Sequence, residues 1–161
     1  MIYWNHYERK TSKEVALARI EQFRDAALLE MKRAERYRNF LSLLILNLSE
    51  FLATAGKRKI DSSEQAQEFV KDAAERLGHH VRETDLISIL DNDQLIMLLP
   101  ETDLNSARLA ADRFTEILSE FMSEFIDSDY RFNVPGEITS FPDPTGEASL
   151  KSKLAVMFGD N

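Results

Sequence analysis

Cysteine is absent from the 161 residues, so disulfides, thiolate metal sites and cysteine nucleophiles are all excluded. Histidine occurs only at positions 6, 79 and 80, which leaves no serine–histidine–acid arrangement to argue for. Proline (four) and glycine (five) are sparse, and no linker, internal repeat or low-complexity tract divides the chain. Long apolar runs are missing as well. The longest, Leu41–Leu46 with Ser42 inside it, falls far short of the roughly 20 residues a membrane helix needs. The opening Met1–Lys10 is polar and aromatic, unlike a secretory signal. Positive charge is in deficit: the net charge of −8 argues against broad binding to nucleic acid or to an anionic membrane. A small phosphate ligand held by a local cationic cluster stays open. What remains, 43% apolar and 30% charged residues, is ordinary for a soluble globular domain, and a reducing cytoplasm is the expected setting.

Periodicity predicts an α/β chain. Thr11 or Ser12 caps a long helix running to about Asn39, with Ala16, Ile20, Phe23, Ala27, Met31 and Ala34 on one narrow apolar stripe. That helix either packs on its own domain or pairs with a second copy. The run "LSLLILNL", Leu41–Leu48, predicts a central strand buried on both faces. Ser62 or Ser63 opens a helix to about His80, and Asp103 caps another over Leu104–Phe121. Between these helices, Leu86–Leu90 and Leu95–Leu99 form a hairpin around Asp91-Asn92-Asp93-Gln94. Tyr130–Ile138 predicts a further strand, interrupted by Pro135-Gly136 at an edge or bulge, and the tail is loop followed by one short helix. Residues 1–28 form the N-terminal segment and the start of the long helix, and residues 29–161 the domain proper.

The polar hairpin tip raises the question of chemistry. "RETD" (Arg82–Asp85), then "LISIL", then "DNDQL" reproduces a spacing: an Arg-x-x-Asp pair, five residues, and a hairpin turn. With "LSLLILNLSEF" before it and "IMLLPETDLNSARLAADRF" after it, this order resembles the GGDEF family, the diguanylate cyclases, over roughly Leu29 to Asp143. The resemblance implies a nucleotide-cyclase or polymerase-palm fold, with a central, mostly antiparallel sheet flanked by helices.

In active members of that family, acids at the end of the first strand and in the hairpin turn hold divalent metal against GTP. Hard cations need anionic oxygen, and an amide is a poor substitute. Here the first-strand positions are Asn47 and Ser49, the paired glycines are Asp91 and Asn92, and the turn continues Asp93, Gln94, Leu95. "LATAGKRKIDSSEQ" lacks the family's guanine-binding Asn-Asp pair, and Val156 stands where a tail lysine falls. These departures lead to the expectation of a degenerate domain that is not an enzyme, with no catalytic residue, metal or cofactor. Aspartate and asparagine tolerate left-handed backbone, so Asp91-Asn92-Asp93 can close the turn without glycine.

Arg82 and Asp85 match the family's product-binding pair, the inhibitory site for cyclic di-GMP. A guanidinium fork suits a guanine O6/N7 edge or a phosphate, and a carboxylate can accept the guanine N1 and N2 hydrogens. Arg76, His79 and His80 add local positive charge, and Arg76 and His80 are the candidates for phosphate. The motif alone is weak, since "RKID" (Arg58–Asp61) also fits it with no such place in the family pattern, and the alternative for Arg82 and Asp85 is a bare surface ion pair, worth little. The expectation is therefore a cyclic di-GMP receptor or signalling module, without nucleic-acid or membrane partners. A homodimer or a protein partner would use the N-terminal helix. The alternative is a dimerisation or docking module that uses no nucleotide.

Overall fold

Six consecutive buried residues, Leu41 to Leu46, need cover on both faces of a strand, and the remainder of the chain supplies it. A computed structural model describes residues 17–53, 60, 62–91, 93–129, 131–143 and 149–159. In it, β1 (Leu41–Asn47), β2 (Leu86–Leu90), β3 (Gln94–Pro100) and β4 (Gly136–Phe141) form one antiparallel sheet of order β2-β3-β1-β4. The described helices are α1 (Ile20–Tyr37), α2 (Ser49–Ala53), α3 (Ser63–Gly78), α4 (Leu104–Phe125) and α5 (Leu150–Phe158). They pair off, α3 with α4 and α1 with α5, around the sheet. Phe51 stacks on Phe69 at 4.9 Å, and Phe125 and Phe132 meet these rings edge-on at 4.7 and 4.9 Å. Near α5, Phe23 faces Phe158 at 6.3 Å. The α/β architecture expected from the periodicity is present. None of the described helices is long and apolar enough to cross a membrane.

Local chemistry sets the boundaries. Ser62 accepts the Gln65 N–H at 3.2 Å and Asp103 accepts the Ser106 N–H at 2.8 Å, each satisfying a donor that the first helical turn leaves free. α1 ends where Arg38 turns left-handed (φ 58°), and Asn39 then donates to the Ala34 carbonyl. The expected start of that helix at Thr11 or Ser12 lies outside the described residues, as do Trp4, His6 and Asn92. α4 runs one turn past Phe121, because buried Met122 and half-buried Phe125 continue its apolar stripe.

The strand expected over Tyr130–Ile138 instead begins at Gly136 and runs to Phe141. Pro135 has no N–H for a ladder, and its carbonyl accepts the Asn47 N–H at 2.9 Å. Gly136 pairs with Leu46, and a Cβ there would stand 3.3 Å from the Leu46 side chain, so a larger residue would require that side chain to give by a few tenths of an ångström where β4 closes onto β1. The stretch before α1 covers the free edge of β2. Ala18 donates to the Ile87 carbonyl at 3.1 Å, and the Ser88 hydroxyl donates to the Ala18 carbonyl at 2.6 Å.

Candidate functional site

The exit of β1 and the β2–β3 turn meet at one end of the sheet. Asn47 pairs with Gln94, and the Leu48 N–H donates to the Asp93 carbonyl at 2.8 Å. The Asn47 side chain accepts the Ser49 N–H at 2.8 Å and thereby starts α2, a short helix with no counterpart in the periodicity reading. Asp91 takes the left-handed conformation (φ 53°), an uncommon one for which aspartate is better suited than most residues. Asn47, Ser49, Asp91, Asp93 and Gln94 thus share one end of the sheet, while Leu95 turns into the core. No group of three or more His, Asp or Glu side chains among the described residues is arranged to hold a metal.

A second cluster lies at the opposite end of β2, the strand's start. Arg82 to Asp85 make a turn closed by the Asp85 N–H donating to the Arg82 carbonyl at 3.0 Å. The Asp85 carboxylate answers by accepting the Arg82 backbone N–H at 2.9 Å and the guanidinium Nη2 at 2.9 Å, with Nε at 3.3 Å from both of its oxygens. Asp85 is only 3% exposed, so its acceptor capacity is turned to Arg82 rather than to solvent. Arg82 Nη2 also donates to the Pro100 carbonyl at 2.9 Å and to Thr102 Oγ1 at 2.8 Å. The Arg82 side chain is nonetheless 55% exposed. Its hydrogen bond to Asp85, with the charges of Asp85 and Glu101, raises the guanidinium pKa further against the opposing effect of burial. It is cationic at every working pH.

The remaining expected cations divide. His80 follows the C-terminus of α3, and its carbonyl accepts from Arg113 Nη2 of α4 at 3.5 Å. Arg76 is one turn earlier, where it pairs with Glu124 at 3.0 Å and lies 5.0 Å over the Phe121 ring. Arg76 is therefore committed to the α3–α4 seam. Arg113 and Thr102 are the residues that sequence reasoning did not single out. Arg113 is distant in sequence and reads as the polar face of a helix, and Thr102 reads as a plain loop residue before a helix cap. Only the packing of α4 against α3 and the return of β3 beside Arg82 bring them here.

Residues 17–147 match the family model described as diguanylate cyclase, GGDEF domain. No curated protein matches the chain. Among solved structures, the GGDEF domain of DgcB from Caulobacter crescentus, in complex with c-di-GMP, aligns with a TM-score of 0.65 at 12% identity. That alignment covers 92% of this chain and 86% of that one. A DGC protein from Thermotoga maritima aligns with a TM-score of 0.59 at 12% identity, covering 92% and 96%. A GGDEF domain of TpbB (YfiN) from Pseudomonas aeruginosa aligns at 0.57 and 18% identity, covering 82% and 75%. At these identities the structural likeness establishes the fold. The expectation that the chain is no enzyme is overturned by the family match, which points toward cyclase domains and not away from them. Replaced side chains at Asn47, Ser49 and the turn are differences from a motif, and they do not by themselves remove the chain from an enzyme family.

Proposed function

This chain belongs to the GGDEF domain family of diguanylate cyclases, and from that premise we propose that it binds cyclic di-GMP at the "RETD" turn, with Arg82 as the recognition cation. One observation carries the reading. Arg82 is anchored on its inner edge by Asp85, Pro100 and Thr102, yet more than half of its side chain faces solvent. An arginine held this way has already lost much of its rotamer freedom, which lowers the cost of binding an anion. Asp85 acts by holding the arginine, and Arg113 and His80 supply further donors for the ligand's phosphates. Arg76 contributes only if it leaves Glu124. The relative solved with c-di-GMP supports the ligand class.

Titration calorimetry with cyclic di-GMP tests the reading. Wild-type protein should bind at micromolar concentration or tighter. Arg82→Ala should weaken binding about 10- to 100-fold, the worth of a charged hydrogen bond. Arg113→Ala should weaken it less, and Glu124→Ala should leave it unchanged or improve it by releasing Arg76. Absence of heat from the wild type at high ligand concentration would refute the assignment. The same preparation incubated with GTP and magnesium reads out the chemistry of the family directly.

A second reading is favoured by the outer face of α1. Leu29 is 46% exposed and Tyr37 62%, with Phe40 at 50% just beyond the helix and Lys32, Arg33 and Arg36 beside them. Such a mixed apolar and basic face suits a protein partner or a second copy of the chain. Sedimentation of wild type and Leu29→Glu, with and without cyclic di-GMP, separates a ligand-driven assembly from a nucleotide-independent one.

A further inference from the structure

The donors of Arg82 can be counted one hydrogen at a time. A guanidinium carries five N–H groups. The single Nε hydrogen is shared between the two Asp85 oxygens, both at 3.3 Å. The two hydrogens of Nη2 face three acceptors: Asp85 Oδ1 at 2.9 Å, the Pro100 carbonyl at 2.9 Å and Thr102 Oγ1 at 2.8 Å. No hydrogen bond among the described residues uses Nη1. The inner edge is therefore saturated, and the two Nη1 hydrogens and the guanidinium face are what a ligand meets.

Of the three inner partners, Asp85 lies on the same turn as Arg82, whereas Pro100 and Thr102 reach it from the end of β3. Thr102 is only 7% exposed, and its hydroxyl can do just one thing for each neighbour. Its single hydrogen goes to the Pro100 carbonyl at 3.0 Å, which leaves a lone pair aimed at Nη2. Its main chain is fixed in turn, because the Thr102 carbonyl accepts from the Ser42 hydroxyl of β1 at 2.8 Å. The left-handed turn at Glu101 (φ 53°), whose N–H donates to the Phe40 carbonyl at 2.8 Å, swings Thr102 back toward the sheet.

We infer that Thr102 is the positioning residue of this site: it holds the Nη2 edge of Arg82 against β3, so that Arg82 engages its ligand end-on through Nη1. The inference rests on the cyclic di-GMP reading for its ligand but not for its geometry. It also sets the mode of recognition. A bidentate fork along the Nη1–Nη2 or Nε–Nη2 edge needs Nη2, which is already engaged. The ligand group that fits is a phosphate oxygen on the Nη1 hydrogens or a base stacked on the guanidinium plane.

Two variants and two readouts test it. Thr102→Val keeps the shape and removes the hydroxyl, and Thr102→Ser restores it. In ligand-free protein, nitrogen-15 NMR at low temperature should show separate, slowly exchanging Arg82 Nη signals in wild type and Thr102→Ser. These should merge into an averaged signal in Thr102→Val. Cyclic di-GMP affinity should fall at least fivefold in Thr102→Val and stay within twofold of wild type in Thr102→Ser. Resolved Nη signals in Thr102→Val, or an equal loss of affinity in both variants, would overturn the assignment. If the wild type binds no cyclic di-GMP, the ligand reading fails by itself, and the NMR comparison still decides whether Thr102 holds the arginine.

Discussion

Asp103 is the point where a single ionisation supports a whole helix. Its carboxylate accepts the Ser106 N–H at the start of α4, and that hydrogen bond holds its pKa below the ordinary aspartate value. A carboxylate with a depressed folded-state pKa contributes stability that is complete above its unfolded value of about 4 and disappears as pH falls through the lower folded value. Asp103→Ala should therefore melt at a lower temperature than wild type at pH 7. The gap should narrow as the pH drops below about 4. Asp103→Asn, an equally good cap, should stay near wild type at pH 7 and show less of this pH dependence. Thermal melts followed by far-UV circular dichroism at pH 3 and 7 decide it, and a gap independent of pH would remove the charge from the explanation. Asp103 and Ser62 were legible as caps because capping is local. The duties of Asp85 and Thr102 were not legible. The motif allows either an outward ligand pair or a solvated ion pair, and only the fold reveals that the paired carboxylate is buried against its own arginine.

At the scale of elements, the join between β1 and β4 contains a buried polar contact inside an otherwise apolar strand. Ser42 and Ser140 are register partners, and their hydroxyls are 2.7 Å apart. Ser42 also reaches the Thr102 carbonyl, so one hydroxyl ties together β1, β4 and the turn that carries the arginine's support. Replacing Ser42 with alanine leaves both the Ser140 hydroxyl and that carbonyl short of a partner. The cost should be about 1–3 kcal/mol. Ser42→Ala/Ser140→Ala should cost less than the sum of the single changes, because an orphaned hydroxyl disappears with its partner. Urea unfolding of the four proteins measures the coupling, and strict additivity would mean the contact has no energetic weight. The central place of β1 was readable from its unbroken apolar run, since such a run fits only where both faces are covered. The start of β4 was not readable. Its alternation spreads across Pro135, and the proline's missing N–H decides the boundary only once the carbonyl of the same residue is seen to cap Asn47.

For the whole molecule, the consequence of a strand buried on both faces is that neither helical layer has a core of its own. Phe23 anchors α1 on its side, and Phe69 sits among Phe51, Phe121 and Phe125 on the other. Both are at most 2% exposed and both belong to one continuous cluster of buried residues. If the layers shared little, truncating one phenylalanine would loosen its own layer and leave the other folded. Because β1 is the floor of both, Phe23→Ala and Phe69→Ala should each cost about 3–5 kcal/mol in a single transition, with the urea slope unchanged. Helical signal and the dispersion of methyl resonances from both layers should then disappear at the same urea concentration in each variant. A Phe23→Ala protein that lost α1 first, with the α3–α4 side intact, would show that the first helix is a separable attachment. Partner binding on its Leu29–Tyr37 face would then be free to act without disturbing Arg82. A single transition means the opposite: a partner on α1 and a nucleotide at the "RETD" turn act on one folding unit, so each would stabilise the whole domain against unfolding.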